Sequence, residues 1–112
     1  MGMPYRARVN ERTLLNLPGF HGGAFVYVYV EDTSEREVGG SARNFEPRMI
    51  LEIADCDERI ALQFDIDSED GRANSLHKLD TLVAALGAFG EALVAEFEPY
   101  DRRAAELAAV EA

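Results

Sequence analysis

The histidines and the cysteine are the first residues to consider for chemistry. His77 and Asp80 lie three residues apart, a spacing that lets a carboxylate orient an imidazole base on one face of a helix. No nucleophile is expected beside them, because Ser75 is predicted to cap the helix and Cys56 to lie at a remote loop tip. Cys56 also lies between two aspartates, whereas reactive cysteines lie in electropositive surroundings. We therefore predict no catalytic residue and no enzyme activity.

The remaining polar clusters do not match a known ligand motif. Neither register of the acidic run Asp65–Gly71 places a glutamate at position 12 of a calcium loop, so only a weak cation site near Asp67, Glu69 and Asp70 stays open. Two histidines and one cysteine at these spacings do not make a zinc site. Pro18–Gly23 is rich in glycine but leads into a predicted strand, whereas phosphate-binding loops lead into a helix. The sequence predicts a turn there, and no metal or cofactor.

Charge is the most unusual property of the composition. The 112 residues include 21 acidic and 11 basic ones, a net charge of -10 that disfavours binding to nucleic acid or to an anionic membrane. Residues 1–48 are neutral overall, so the imbalance belongs to residues 49–112. Eight carboxylates, which we call the acidic edge, are candidates for binding a protein partner: Glu52, Asp55, Asp57, Glu58, Asp65, Asp67, Glu69 and Asp70.

Cysteine content and hydropathy bear on location. A single cysteine excludes an internal disulfide framework and favours a cytoplasmic protein. No apolar run is long enough to span a bilayer, and the N-terminal residues lack the apolar stretch of a signal peptide. We expect a protein that does not act at a membrane.

Period-two alternation of apolar and polar residues predicts the strands. The four predicted strands are 5–12, 24–31, 48–54 and 59–67. The last two form a hairpin, because the register that opposes Ile53 to Ile60 and Leu51 to Leu62 keeps apolar residues on one face. Residues 32–47 are polar and are predicted to form a long loop.

A long amphipathic helix is predicted to follow. Large apolar residues recur at steps of three and four from Leu76, with Asn74 or Ser75 as the N-cap. The helix is predicted over 75–98, with Pro99 ending it before a short helical tail. The resulting fold class is α+β: a single domain of residues 1–112, with an antiparallel sheet of about four strands packed by this helix.

Two surfaces remain uncovered in this arrangement, which favours a homodimer. One is the aromatic face of the second strand, with Tyr27 and Tyr29. The other is a small-residue surface of the helix, formed by Ala84, Ala88, Ala92 and Ala95. Alternatively, the long loops cover both surfaces.

The chain resembles small uncharacterised proteins of actinobacteria and their phages in size, in its use of Arg, Ala and Glu, and in its order of strands followed by a helix. That resemblance implies an accessory role, including takeover of a host. The sequence favours a small acidic, non-enzymatic interaction protein that is dimeric and binds a protein partner. Two alternatives stay open: an acidic inhibitor or nucleic-acid mimic that occupies a basic groove, and a small-ligand-binding domain that uses the Tyr27/Tyr29 face.

Overall fold

A computed structural model describes residues 6–34 and 47–111. Tyr5 and most of the predicted loop 32–47 lie outside the described residues. The elements in chain order are β1 (Arg6–Leu14), β2 (Ala24–Asp32), β3 (Met49–Asp55), β4 (Glu58–Leu62) and α1 (Glu69–Glu111). One antiparallel sheet and one long helix confirm the predicted α+β class.

The strands pair in sequence order, β1-β2-β3-β4, and every pair is antiparallel. The predicted hairpin register is confirmed, since Ile53 opposes Ile60 and Leu51 opposes Leu62. The predicted extension of the fourth strand to residue 67 is wrong, because β4 ends at Leu62. The chain leaves the sheet there to approach the start of α1, where the Arg72 side chain donates from Nε to the carbonyl of Ile66 at 2.7 Å.

Most of the buried side chains lie on one face of the sheet, centred on β2, while Ala24, at 4% exposure, lies on the other. Phe25 is 6% exposed, Tyr29 5% and Ala54 1%. Glu31 lies on the same face at 2% exposure, and its Oε1 accepts the backbone N–H of Arg48 at 3.1 Å. A buried carboxylate needs such a donor, since an unsatisfied one is costly. The sheet therefore has an aromatic face with several buried residues, while the opposite, aliphatic face is mostly half-buried, with Ala24 buried and Ile60 exposed.

The first strand is an edge whose arginines have specific partners. The register shifts between Ala7 and Val9, so Arg8 is an extra residue in a β-bulge, a device that blunts pairing at sheet edges. Arg8 forms an ion pair with Asp32 at 3.3 Å. The guanidinium of Arg12 lies 4.0 Å from the ring centroid of Phe25. Part of the basic surface of β1 thus stabilises the sheet.

Helix α1 is longer than the sequence predicted at both ends. It begins at Glu69, because Ser68 caps it: the Ser68 Oγ accepts the backbone N–H of Gly71 at 2.9 Å. The predicted cap at Asn74 or Ser75 is therefore wrong. The predicted break at Pro99 is also wrong, since the helix runs through this residue to Glu111 without a separate tail.

The chain divides into two compact units, Met1–Arg72 and Ala73–Ala112. The first contains the sheet and the second most of the helix. That the helix packs on the sheet, and that the chain is a single domain, both stay predictions. No helix within the described ranges is long and apolar enough to cross a membrane.

Candidate functional site

Large apolar residues of α1 form a continuous line at heptad spacing. Eight of them occupy the a and d positions, and we call them the heptad stripe: Leu76, Leu79, Val83, Leu86, Leu93, Phe97, Tyr100 and Leu107. Each of the eight is between 41% and 68% exposed. Apolar a and d positions with four leucines at d are the pattern of helices that associate side by side. The stripe is therefore a candidate interaction surface.

The small-residue surface lies on the other side of the helix. Ala84, Ala88, Ala92 and Ala95 fall at heptad positions b, f, c and f, and all four are exposed. Their side chains are too small to bury much apolar surface by themselves. Their role in a dimer stays a prediction.

The two tyrosines predicted as dimer contacts differ in exposure. Tyr29 is 5% exposed, so the sheet unit holds it in its interior. Tyr27 is half-buried, and its hydroxyl donates to the Asn10 side chain at 2.9 Å. The structure gives both residues a role within the sheet, and their role as dimer contacts or as a ligand surface stays a prediction.

The acidic edge is not uniform. Glu52 forms an ion pair with Arg59, with 3.8 Å between Arg59 Nη1 and Glu52 Oε1. Only 27% of the Glu52 side chain is exposed. The other seven carboxylates are exposed. They lie at the β3–β4 turn, along the connection to the helix, and in the first turn of the helix. In that turn, Glu69 and Asp70 interact favourably with the positive end of the helix dipole. Part of this acidity therefore has a structural explanation.

His77 and Asp80 lie in the third turn of α1, and both are exposed. The nearest recorded partner of the His77 ring is the hydroxyl of Thr81, with 3.5 Å between Oγ1 and Nε2. The Thr81 hydroxyl is exposed on the helix surface and follows His77 by one helical turn. That this pair has no catalytic role stays a prediction.

A different histidine, His21, lies beside the turn between β3 and β4. His21 belongs to the connection between β1 and β2, which begins with a type II turn: Phe20 donates its N–H to the Leu17 carbonyl at 3.1 Å, and Gly19 has φ 97°. The β2–β3 register places Ala24 opposite Asp55. The connection containing His21 and the β3–β4 turn therefore lie at the same end of the sheet.

Three potential ligands meet at this end: His21, Asp55 and Cys56. Their donor atoms all lie within 4.8 Å of one another, and this is the one such group of three or more in the described part of the chain. The Cys56 Sγ lies 3.7 Å from Nδ1 and 3.8 Å from Nε2 of His21. The Asp55 Oδ1 lies 4.0 Å from Nε2. We call this group the His–Asp–Cys cluster.

The backbone around the cluster is well anchored. Cys56 donates its N–H to the Gly23 carbonyl at 3.1 Å, which extends the β2–β3 ladder to the turn. The Asn16 side chain donates to the His21 carbonyl at 3.0 Å. Cys56 has φ 55°, the only positive value among the described non-glycine residues. A two-residue turn with positive φ at its first position normally favours glycine there.

Sequence reasoning placed Cys56 at an exposed loop tip, which is confirmed, but did not join it to His21. The two residues are 35 positions apart. The signal that could have joined them is the β2–β3 register, which brings Gly23 next to Cys56. Comparison with known proteins finds no matching family model, no matching curated protein and no matching solved structure.

Proposed function

We propose that this protein is a non-enzymatic interaction module that associates with a second copy of itself through the heptad stripe and binds a protein partner. The observation that carries the proposal is the exposure of all eight stripe residues on one line of α1. An apolar line of this length is unfavourable in water, and a solvated helix gains most of its stability from packing such a face.

The size of the stripe supports a second copy as the occupant. Burial of a Leu, Val or Phe side chain removes roughly 60–120 Å² of apolar surface from water. Eight such residues give on the order of 700 Å² per copy, close to the ~800 Å² per partner of a standard interface. One helix pair thus accounts for a stable dimer.

The order of large and small residues along the stripe favours an antiparallel pair. In a parallel pair, Gly90 at an a position would face Gly90 of the other copy and leave a gap. In an antiparallel pair that overlaps over 76–107, each a residue faces a d residue of the other copy. Gly90 then faces Leu93 and Ala104 faces Leu79, so each small residue faces a large one. This complementarity extends along the whole overlap.

The exposed carboxylates of the acidic edge support a partner with a basic surface. Asp57 and Glu58 lie at the β3–β4 turn and both are exposed. Attraction between exposed charges weakens as salt increases. Capture of a partner through this edge is therefore expected to weaken between low and high salt, and reversing Asp57 and Glu58 to lysine is expected to abolish it.

Sedimentation at micromolar concentration tests the self-association. Wild-type protein is expected to be dimeric, and the double variant Leu86→Glu/Leu93→Glu monomeric, because two charges would be buried on the stripe. The matched control is Ala88→Glu/Ala95→Glu, which adds the same charge to the opposite side of the helix and is expected to remain dimeric.

If only the control variant were monomeric, the dimer contact would lie on the small-residue surface and not on the heptad stripe. A monomeric wild type, or loss of the dimer in both variants, would also contradict the proposal. Orientation is read from spin labels at Ala109 in a Cys56→Ser background. An antiparallel pair places the labels about 50 Å apart at ~1.5 Å per residue, whereas a parallel pair places them within about 20 Å.

A further inference from the structure

We propose that the His–Asp–Cys cluster is a zinc-binding site with His21, Asp55 and Cys56 as its three protein ligands. A thiolate, an imidazole and a carboxylate together are a donor set that suits zinc and its close chemical relatives, and not calcium or magnesium, which prefer oxygen ligands. This site is independent of the heptad stripe, because all three residues belong to the sheet unit.

The donor atoms lie somewhat farther apart than the ligands of a tetrahedral ion, at distances that side-chain rotation can close. With Zn–S of about 2.3 Å and Zn–N and Zn–O of about 2.0–2.2 Å, the edges of the tetrahedron are roughly 3.4–3.6 Å. The recorded separations are 3.8 Å from Sγ to Nε2 and 4.0 Å from Nε2 to the carboxylate. The third edge, from Sγ to the carboxylate, is at most 4.8 Å. Side-chain rotations that move the donor atoms by up to about 1 Å are therefore needed to close the site.

The Nε2 atom of His21 lies within 4.0 Å of both the Cys56 sulfur and the Asp55 carboxylate, and Nδ1 is about as close to the sulfur. Binding through Nε2 places the ring proton on Nδ1, so the long contact of 3.3 Å from the Gly23 N–H to Nδ1 is given up. The Asn16 amide, 3.3 Å from Nε2, is displaced in the same step and keeps its bond to the His21 carbonyl. These two amides are therefore local reporters of metal binding.

The charge of the His–Asp–Cys cluster and its exposure to solvent are also compatible with a bound zinc ion. The thiolate and the carboxylate neutralise a divalent ion, and Asp57 adds a further negative charge next to the cluster. All three ligands are exposed, so water can complete the fourth position. A site with three protein ligands and one open position differs from closed structural zinc sites, which have four protein ligands.

A cysteine–histidine–aspartate catalytic triad is the alternative for the same three residues. In a triad, the nucleophile and the carboxylate approach opposite nitrogens of the imidazole. Here the sulfur is almost equidistant from both nitrogens, and the carboxylate approaches the nitrogen that the sulfur also reaches. The sulfur and the carboxylate therefore do not take opposite nitrogens, which favours a set of metal ligands over a triad.

Cobalt(II) and zinc(II) titrations of the full, tag-free chain in a thiol-free reductant test the proposal. Cobalt is expected to bind at one ion per chain, with the intense visible bands of a tetrahedral site and a thiolate-to-metal charge-transfer band. Zinc is expected to displace it and remove both signals. In NMR, the Gly23 amide and the Asn16 side-chain amide are expected to shift first.

Four variants assign the ligands. Cys56→Ser and His21→Asn are each expected to weaken zinc binding by at least about 100-fold, since loss of a supporting residue alone costs about 10–100-fold. Asp55→Asn keeps an oxygen donor and is expected to lose about tenfold. The matched control His77→Asn removes the other histidine of the chain and is expected to leave the affinity unchanged within about twofold.

Absence of the charge-transfer band, or an unchanged affinity in Cys56→Ser, would overturn the proposal. A stoichiometry of one ion per two chains would also overturn it, because the site would then lie between copies. Cys56→Gly keeps the turn folded while it removes the thiol, so its NMR spectrum separates loss of a ligand from loss of structure.

Discussion

Phe25 in β2 and Phe97 in α1 are the same side chain in opposite settings. Phe25 is 6% exposed, with the guanidinium groups of Arg12 and Arg59 4.0 and 5.6 Å from its ring centroid. Phe97 is 60% exposed and lies in the heptad stripe. The sheet unit thus supplies partners for its aromatic residues from neighbouring strands, while the helix holds a line of apolar residues that needs a second surface. This contrast makes the two units separately testable.

The largest expected effect comes from truncating these two phenylalanines. Phe25→Ala is expected to lower the free energy of unfolding of the sheet by about 3–5 kcal/mol, because it leaves a cavity in the most buried face. Phe97→Ala is expected to leave the sheet unchanged within about 0.5 kcal/mol and to weaken self-association. Urea unfolding followed by the NMR amide signals of the sheet measures both. A loss above about 1 kcal/mol in Phe97→Ala would show that the stripe packs on the sheet of its own chain.

A second pair of variants compares two glycines of α1. A Cβ at Gly71 would lie 2.9 Å from the capping Oγ of Ser68 and 3.3 Å from the Cβ of Asp65, whereas a Cβ at Gly87 meets nothing within 4 Å. Gly71→Ala is expected to cost about 1 kcal/mol net, because the lost cap and crowding exceed the gain in helix propensity. Gly87→Ala is expected to gain up to about 1 kcal/mol. Thermal unfolding followed by circular dichroism measures the difference. Equal gains in both variants would contradict the assigned role of Ser68.

A smaller effect is expected at the β3–β4 turn. Cys56→Gly is expected to stabilise the sheet by about 0.5–1 kcal/mol, because glycine adopts positive φ without the strain of a side chain. Asp57→Gly is the control, since Asp57 has no positive φ, and it is expected to destabilise the turn by about 0.5 kcal/mol. Denaturant midpoints rank the two variants. Destabilisation by Cys56→Gly would mean that the thiol itself contributes to folding.

The smallest effect concerns the edge of the sheet and depends on pH. The backbone N–H of Ser34 donates to Asp32 and, with Arg8 and Arg6 nearby, lowers the pKa of this carboxyl below its ordinary value. A lowered pKa in the folded state stabilises the protein above the ordinary pKa and loses that contribution as the pH falls through the lowered value. Asp32→Asn is therefore expected to be slightly less stable than wild type at pH 7, and the gap is expected to close in acid. A gap that stays constant down to pH 2 would contradict this assignment.

The sequence predicts the hairpin register correctly because the residues on both faces of the hairpin restrict which pairing is possible. Only one register opposes Ile53 to Ile60 while Ala54 faces Arg59, so pairing and side-chain pattern agree. The end of the helix was harder to predict, because Pro99 removes one donor but the residues that follow from Arg102 to Leu107 are strong helix formers. The start of α1 is marked by local signals, the Ser68 cap and the acidic residues Glu69 and Asp70 in the first turn, so a start at residue 69 was predictable in principle.

The two candidate sites also differ in how far the sequence alone predicts them. The heptad stripe is a local periodicity, visible in the sequence as steps of three and four. The His–Asp–Cys cluster depends on the β2–β3 register and on the conformation of the β1–β2 connection, which sets the position of His21. Spacing along the chain therefore gives no information on a site that two turns from different hairpins form together.

Pro99 has a consequence for the motion of α1. Without its amide hydrogen, the carbonyl of Ala95 has no helical donor four residues later, so the hydrogen-bond ladder is interrupted at this point. Helix segments on the two sides of such an interruption open with different free energies. We expect amides after Pro99 to exchange with deuterium well before those between Thr81 and Ala95. The last three turns of the helix would then open as a unit separate from the rest of the helix.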